Sequence, residues 1–207
     1  MLVLFLFCMF IISPGNLSAQ DYNFVKLTSE DGLSSNIVHY IGKDSRGYLW
    51  IGCNNALNRY DGSTFKKFSN LPGDSTSITS GATSCIVEDK DSTLWIATKN
   101  GVNIFNYKTE KFRQIYKAEE ENTLVKSLYL SRENKLFVIT TEGVYLLNSK
   151  NNKAEKLIKS SVDQQATVMV EDSQGNYYFG TWGNGVVYWD SVRQDYFSVK
   201  IPAKNSL

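Results

Sequence analysis

Four stretches of this 207-residue chain repeat one another: 37–61, 84–106, 125–148 and 166–190. Their aromatic anchors, Trp50, Trp95, Phe137 and Tyr178, stand 45, 42 and 41 residues apart. Each repeat opens on a half-alternating apolar strand and passes through a polar turn begun by Asp44, Asp89, Ser131 or Asp172. A strongly apolar strand follows, Leu49-Trp50-Ile51-Gly52 in the first repeat, then a short loop ending at Ala56, Gly101, Gly143 or Gly185. A third strand carries Tyr60, Phe105, Leu147, or Tyr188 with its neighbour Trp189, and a more polar fourth strand occupies 64–68, 110–115, 154–158 or 195–201. Four antiparallel strands at a spacing of about 40–45 residues make one propeller blade. The expected fold is therefore all-β: a β-propeller of four four-stranded antiparallel blades near 37–68, 84–115, 125–158 and 166–201. No apolar period near 3.6 is sustained, so essentially no helix is expected in the mature chain.

The repeat also assigns roles. A ring on the second strand buries roughly 150–250 Å² against a neighbouring blade, so Trp50, Trp95, Phe137 and Tyr178 are expected to be structural blade core. Asp44 and Asp172 each precede a glycine by three positions, fitting an aspartate that caps its own turn while glycine takes the positive φ.

Lysine plus arginine (22) nearly cancels aspartate plus glutamate (21), and the resulting +1 charge supplies no broad field for nucleic acid or an anionic membrane. The first twelve residues, MLVLFLFCMFII, are apolar yet too short for about 30 Å of hydrocarbon, and Ser13-Pro14-Gly15 breaks the run. Residues 1–19 read as a signal peptide for export, with 20–207 as the mature chain, although only the amino terminus supplies positive charge ahead of the run. Cys53 and Cys85 alone remain after cleavage, too few for a disulfide scaffold; they read as packed free thiols, with pairing left open. A single histidine, His39, and no Cys-x-x-Cys spacing argue against a metal site, and no cofactor is expected.

The string DGLSSNIVHYIGKDSRGYLWIGCNNALNRYD at 31–61 resembles the two-component regulator propeller repeats found in the exported halves of hybrid sensor kinases. The likeness spans about 24–201, with Cys53 where threonine is usual, Ala56 where glycine is usual, and a degenerate third repeat. The resemblance implies a periplasmic sensor of oligosaccharides, built as part of a seven-bladed propeller with a membrane span and histidine kinase beyond it. It also implies a homodimer in the full-length protein, and residues 24–27 as the outer strand of a missing last blade. By this likeness the chain is the front portion of such a sensor. No nucleotide-binding motif or phosphoacceptor histidine is present, and His39, on a first strand, reads as a packed or edge residue.

Ligands of propellers gather on the rim bearing the loops between second and third strands and between blades. Those loops supply Asn54, Asn55, Lys99, Asn100, Thr141, Glu142, Trp182 and Asn184 as candidate ligand contacts, with loop 69–83, the acidic stretch 119–122 and 160–165 beside them. Amides and a lysine match sugar hydroxyls, and an exposed tryptophan offers a face for a pyranose. Trp182 either stacks on ligand or packs beneath its own loop. Catalysis is not expected. Gly47 follows Asp44 by three positions where a sialidase turn has two, and neither a convergent carboxylate pair nor a Gly-x-Ser-x-Gly elbow emerges. The alternatives are a protein-interaction propeller without signalling and, behind it, a propeller hydrolase or lyase.

Overall fold

The computed structural model describes residues 24–117, 123–148, 151–157, 166–190 and 195–199. Sixteen strands form four successive four-stranded antiparallel sheets in a propeller-like arrangement. The first sheet is β1 (Val38–Lys43), β2 (Leu49–Cys53), β3 (Leu57–Tyr60) and β4 (Phe65–Phe68), and the second is β5 (Thr83–Glu88), β6 (Leu94–Thr98), β7 (Gly101–Asn106) and β8 (Lys111–Lys117). The third comprises β9 (Val125–Leu130), β10 (Leu136–Thr140), β11 (Val144–Asn148) and β12 (Lys153–Lys156). The fourth comprises β13 (Ala166–Glu171), β14 (Tyr177–Thr181), β15 (Val186–Asp190) and β16 (Asp195–Ser198). Strand order follows chain order within every sheet, and the first strands adjoin in series, β1 by β5, β5 by β9 and β9 by β13.

Three cores fill the three junctions between sheets. Trp50, 1% exposed, packs with Ile86, Leu94, Ile96, Phe105 and Phe112 of the second sheet. Trp95 enters the next junction among Leu128, Leu136, Val138 and Leu147, and Phe137 enters the third among Met169, Tyr177, Phe179 and Trp189. Each anchor thus faces the sheet that follows it. Tyr178, at the matching place in the fourth sheet, is only half-buried, a correction to its expected role in the core. Its flanking chain neighbours Tyr177 and Phe179 point into the third junction instead. Pleating sends Tyr178 to the opposite face, where no following sheet stands among the described residues. The register also shows which aromatic of β15 repeats Phe105: Trp189 opposes Tyr177 as Phe105 opposes Leu94.

The turn residues do more than cap. Asp44 Oδ1 accepts the Arg46 and Tyr48 amides at 3.0 and 2.9 Å, while Oδ2 accepts the Trp50 indole N–H at 2.7 Å. Asp89 repeats this with the Thr93 amide at 2.8 Å and the Trp95 indole at 2.9 Å. In the fourth sheet Asp172 Oδ2 accepts the Tyr178 hydroxyl at 3.3 Å. Only the third repeat lacks the carboxylate, and only there does the anchor lack a polar hydrogen, since Ser131 is paired with Phe137. A buried carboxylate without donors, or a buried indole N–H without an acceptor, costs about 1–3 kcal/mol or more. The fourth position of the turn is left-handed in all repeats, at Gly47 (φ 93°), Ser92 (58°), Asn134 (63°) and Gly175 (85°).

Two features lie outside the four sheets. Residues 24–27 belong to no strand among the described residues, and Phe24 is 93% exposed, because the described sheets already have four strands each and leave this segment no ladder to join. One helical turn does occur, a 3-10 helix at Ser29–Asp31 closed by a reciprocal capping box between Thr28 and Asp31. It turns the chain so that Leu33 is buried with Ile51 and Cys53 on the outer face of the first sheet. The cysteines are free and lie in different sheets, Cys53 buried and Cys85 half-buried. Residues 1–19, the acidic stretch 119–122 and loop 160–165 lie outside the described residues.

Candidate functional site

The loop between second and third strands closes by one device. A threonine at the end of the second strand donates its hydroxyl to a glycine carbonyl: Thr98 to Gly101 at 3.2 Å, Thr140 to Gly143 at 3.0 Å and Thr181 to Gly185 at 2.8 Å. In the first repeat Cys53 stands there; its thiol turns away to the Ser35 carbonyl at 3.3 Å, and the Cys53 amide alone holds the Ala56 carbonyl. The closing pair brackets two residues in the first three repeats and three in the fourth. The residue just after the closing position is Asn54, Lys99, Thr141 or Trp182.

A second repeated feature adjoins this rim. Each first strand carries a β-bulge at one place, and the residue left out of the ladder is His39, Ser84, Lys126 or Thr167. A bulge leaves its extra residue unpaired and re-aims the side chain. Here all four re-aimed residues are polar, and they stand beside the loops that carry Asn54, Lys99, Thr141 and Trp182.

The two sets meet. A cavity of about 410 Å³ at the mouth is lined by His39, Ser84, Lys126, Lys99, Thr141 and Leu124, with short flanking backbone. His39 is exposed on β1, the edge strand of its sheet, as the edge alternative has it, and its Nε2 is hydrogen-bonded to the Asn54 side-chain oxygen. The Lys126 ammonium donates to the Ala166 carbonyl at 3.1 Å, and burial holds it below the ordinary lysine range. The Thr141 hydroxyl accepts the Leu124 amide at 3.0 Å. Among the described residues, no aspartate or glutamate lines this cavity.

Of the expected contacts, Lys99 and Thr141 line the mouth and Asn54 touches it through His39. Asn55 and Asn100 are spent on backbone, donating to the Ser34 and Thr79 carbonyls at 3.0 and 3.5 Å. Glu142 is half-buried, and its carbonyl accepts the Lys156 ammonium at 2.7 Å. Trp182 does not pack beneath its loop; it is 83% exposed, carried outward by the longer fourth loop, with Asn184 exposed beside it. Ser84 and Lys126 escape a reading of the sequence, since only the polar residue interrupting each first strand marks them. Among the described residues, no group of three or more His, Cys, Asp or Glu side chains converges as a metal site.

The two component regulator propeller family matches residues 32–55 and 77–100, which run from the entry segments of the first two sheets into their loops. Those two segments carry the two-component regulator propeller repeat. Across 65 residues it is 49% identical to histidine kinase P4 of Formosa agariphila, covering 30% of this chain and 5% of that protein. The sheets overlie the extracellular domain of a putative hybrid two component system from B. thetaiotaomicron with a TM-score of 0.54 and 17% identity, covering 84% of this chain and 31% of that one. They overlie virginiamycin B lyase from Staphylococcus aureus with a TM-score of 0.62 and 16% identity, over 81% and 57% of the respective chains. At these identities the solved structures show the fold. The propeller repeats therefore span a small part of the kinase and about a third of the sensor domain that they resemble. Among the described residues, no helix is long and apolar enough to cross a membrane.

Proposed function

We propose that the chain is the ligand-sensing propeller region of an exported hybrid two-component signalling protein, and that it recognises an oligosaccharide at the rim. The observation that carries this is a coincidence of place: the matched repeats at 32–55 and 77–100 supply two of the three walls of the open mouth. Trp182, exposed on the same rim, offers an aromatic face for a pyranose. The leader at 1–19 takes the mature chain to the periplasm, and the kinase and membrane span belong to the rest of the protein, which signals as a homodimer.

The ring is completed beyond the fourth sheet. Val170, Tyr178, Val186 and Tyr188 repeat the face that the first sheet turns towards the second, yet Val170 and Val186 are 57% and 48% exposed. A further blade on this face, continuing to seven, buries what is now open. Catalysis has no part in this reading, because the turn aspartates are committed to their own amides and to the anchors.

Calorimetry of the complete sensor domain against a panel of glycan fragments tests the proposal. Binding by at least one fragment, weakened by Trp182→Ala, is expected. Silence of the folded domain across a broad panel sinks it in favour of a protein-interaction propeller.

A further inference from the structure

At the end of the sheets away from the rim, the last residue of each first strand after β1 lies against the turn of the sheet before it. In the first junction that residue is Glu88, whose carboxylate accepts the Ser45 amide at 2.7 Å and the Ser45 hydroxyl at 2.6 Å. In the third it is Glu171, which accepts the Arg132 amide at 2.9 Å. In the second it is Leu130, which packs against the junction core, and Lys90 of the turn reaches instead to the Arg132 carbonyl at 2.8 Å. Hydrogen bonds to a carboxylate are shorter and stronger than neutral ones, so the acid fixes where the following sheet sits against the turn.

The fourth sheet offers the same turn with nothing bonded across it. Asp172-Ser173-Gln174-Gly175 repeats Asp44-Ser45-Arg46-Gly47, down to the left-handed glycine. Ser173 is exposed, and neither its amide nor its hydroxyl has a partner among the described residues. On the same side the face of Val168, Val170 and Val186 stands open.

The first sheet presents the opposite half of a junction. Ile41, at the place where Ile86 is buried, is 64% exposed. Its first strand ends at Lys43, the counterpart of Glu88, Leu130 and Glu171. Lys43 is exposed and meets no carboxylate among the described residues. Apolar faces attract one another without direction, so the polar ends decide which pair is formed. An ammonium only donates, and Lys43 therefore cannot accept the Ser173 amide as Glu88 accepts that of Ser45.

From this we infer that the open face of the fourth sheet docks a sheet whose first strand ends in Glu or Asp, and that Lys43 bars the first sheet of a second copy from that place. The inference rests on a further blade covering the fourth sheet, and it names the side chain which that blade brings to Ser173. Contacts between the two ends of successive copies are heterologous and build rings or filaments; a lysine at the meeting point opposes them.

Sedimentation velocity of the chain over a concentration series tests it. Lys43→Glu, at an exposed position, supplies the missing acceptor and should tighten self-association by about tenfold over the wild type. Lys43→Gln, which removes the charge without adding a carboxylate, should tighten it less. Ser173→Ala in the Lys43→Glu background should return part of the gain. Association of Lys43→Glu no tighter than that of Lys43→Gln, or no tighter than that of the wild type, overturns the acid-selective contact. The further-blade reading fails by a different sign, a Tyr178→Ala that costs no more in a longer chain than in this one.

Discussion

Truncating the ring anchors one by one should divide them according to what stands in front of each. Trp50 is 1% exposed and meets Phe105 edge-on at 5.1 Å, Phe68 stacked at 5.9 Å and Tyr107 at 6.5 Å. Burying roughly 250 Å² of indole at about 25 cal/mol per Å² gives an upper bound of about 6 kcal/mol. Partial collapse of the cavity brings the expected cost of Trp50→Ala to about 3–5 kcal/mol. Asp44 then keeps the Tyr107 hydroxyl at 2.8 Å but loses the indole, which places Trp50→Ala towards the upper end. Trp95→Ala and Phe137→Ala belong to the same class, each filling a junction. Tyr178→Ala does not; with no sheet in front of it, the change behaves as a surface substitution. Urea unfolding followed by far-UV circular dichroism, with hydrogen exchange to resolve each junction, measures the four variants. Should Tyr178→Ala prove as damaging in this chain as Trp50→Ala, the idea that the following sheet buries each anchor is wrong. In a longer chain carrying a further blade, Tyr178→Ala should join the costly class.

Three other expectations follow from the same geometry. Ser92 sits at φ 58°, where a side chain is strained, so Ser92→Gly should stabilise the second sheet by about 0.5–1 kcal/mol, read as a raised urea midpoint. The Tyr40 hydroxyl donates to the Ile86 carbonyl at 2.7 Å, and burial, with the charge of a Cys85 thiolate second, pushes its pKa up to about 12. Tyr107 is raised too, first by burial and then by its bond to Asp44. The folded state therefore holds protons that the unfolded chain releases above about pH 10, and stability present below that pH is lost as it rises towards 12. Tyr40→Phe should flatten the alkaline slope of the urea midpoint, and an unchanged slope contradicts the assignment. Ser131→Asp and Phe137→Trp should each destabilise the third sheet by about 1–3 kcal/mol, whereas the double variant recovers at least about 1 kcal/mol of their sum. A double-mutant cycle showing plain additivity denies the pairing.

The sheets were legible because a strand's period of two and a spacing of 41 to 45 residues leave few other solutions, and the strand ranges agree within a few residues. The site was only half legible. Lys99 and Thr141 follow from their places in the loops, but the bulges at His39, Ser84, Lys126 and Thr167 each add one residue to an imperfect alternation and leave little trace in sequence. Of the two places expected for His39, packed or at an edge, it takes the edge, and the bulge turns it outward. Tyr178 and 24–27 show what repeat position leaves open. Repeat position fixes which way a side chain or strand faces, while burial depends on whether anything occupies the space opposite.

Asp44 and Trp50 touch through a single hydrogen bond, yet that contact constrains how copies of one duplicated ancestor can diverge. A copy that exchanged its indole first would strand a charge at the junction, and one that exchanged its carboxylate first would strand a proton donor. The third repeat has accepted both changes and the fourth has kept the acid while trading indole for phenol. Across the four units the acid and a ring that can donate to it are therefore present together or absent together, so that two positions six residues apart behave as one structural element.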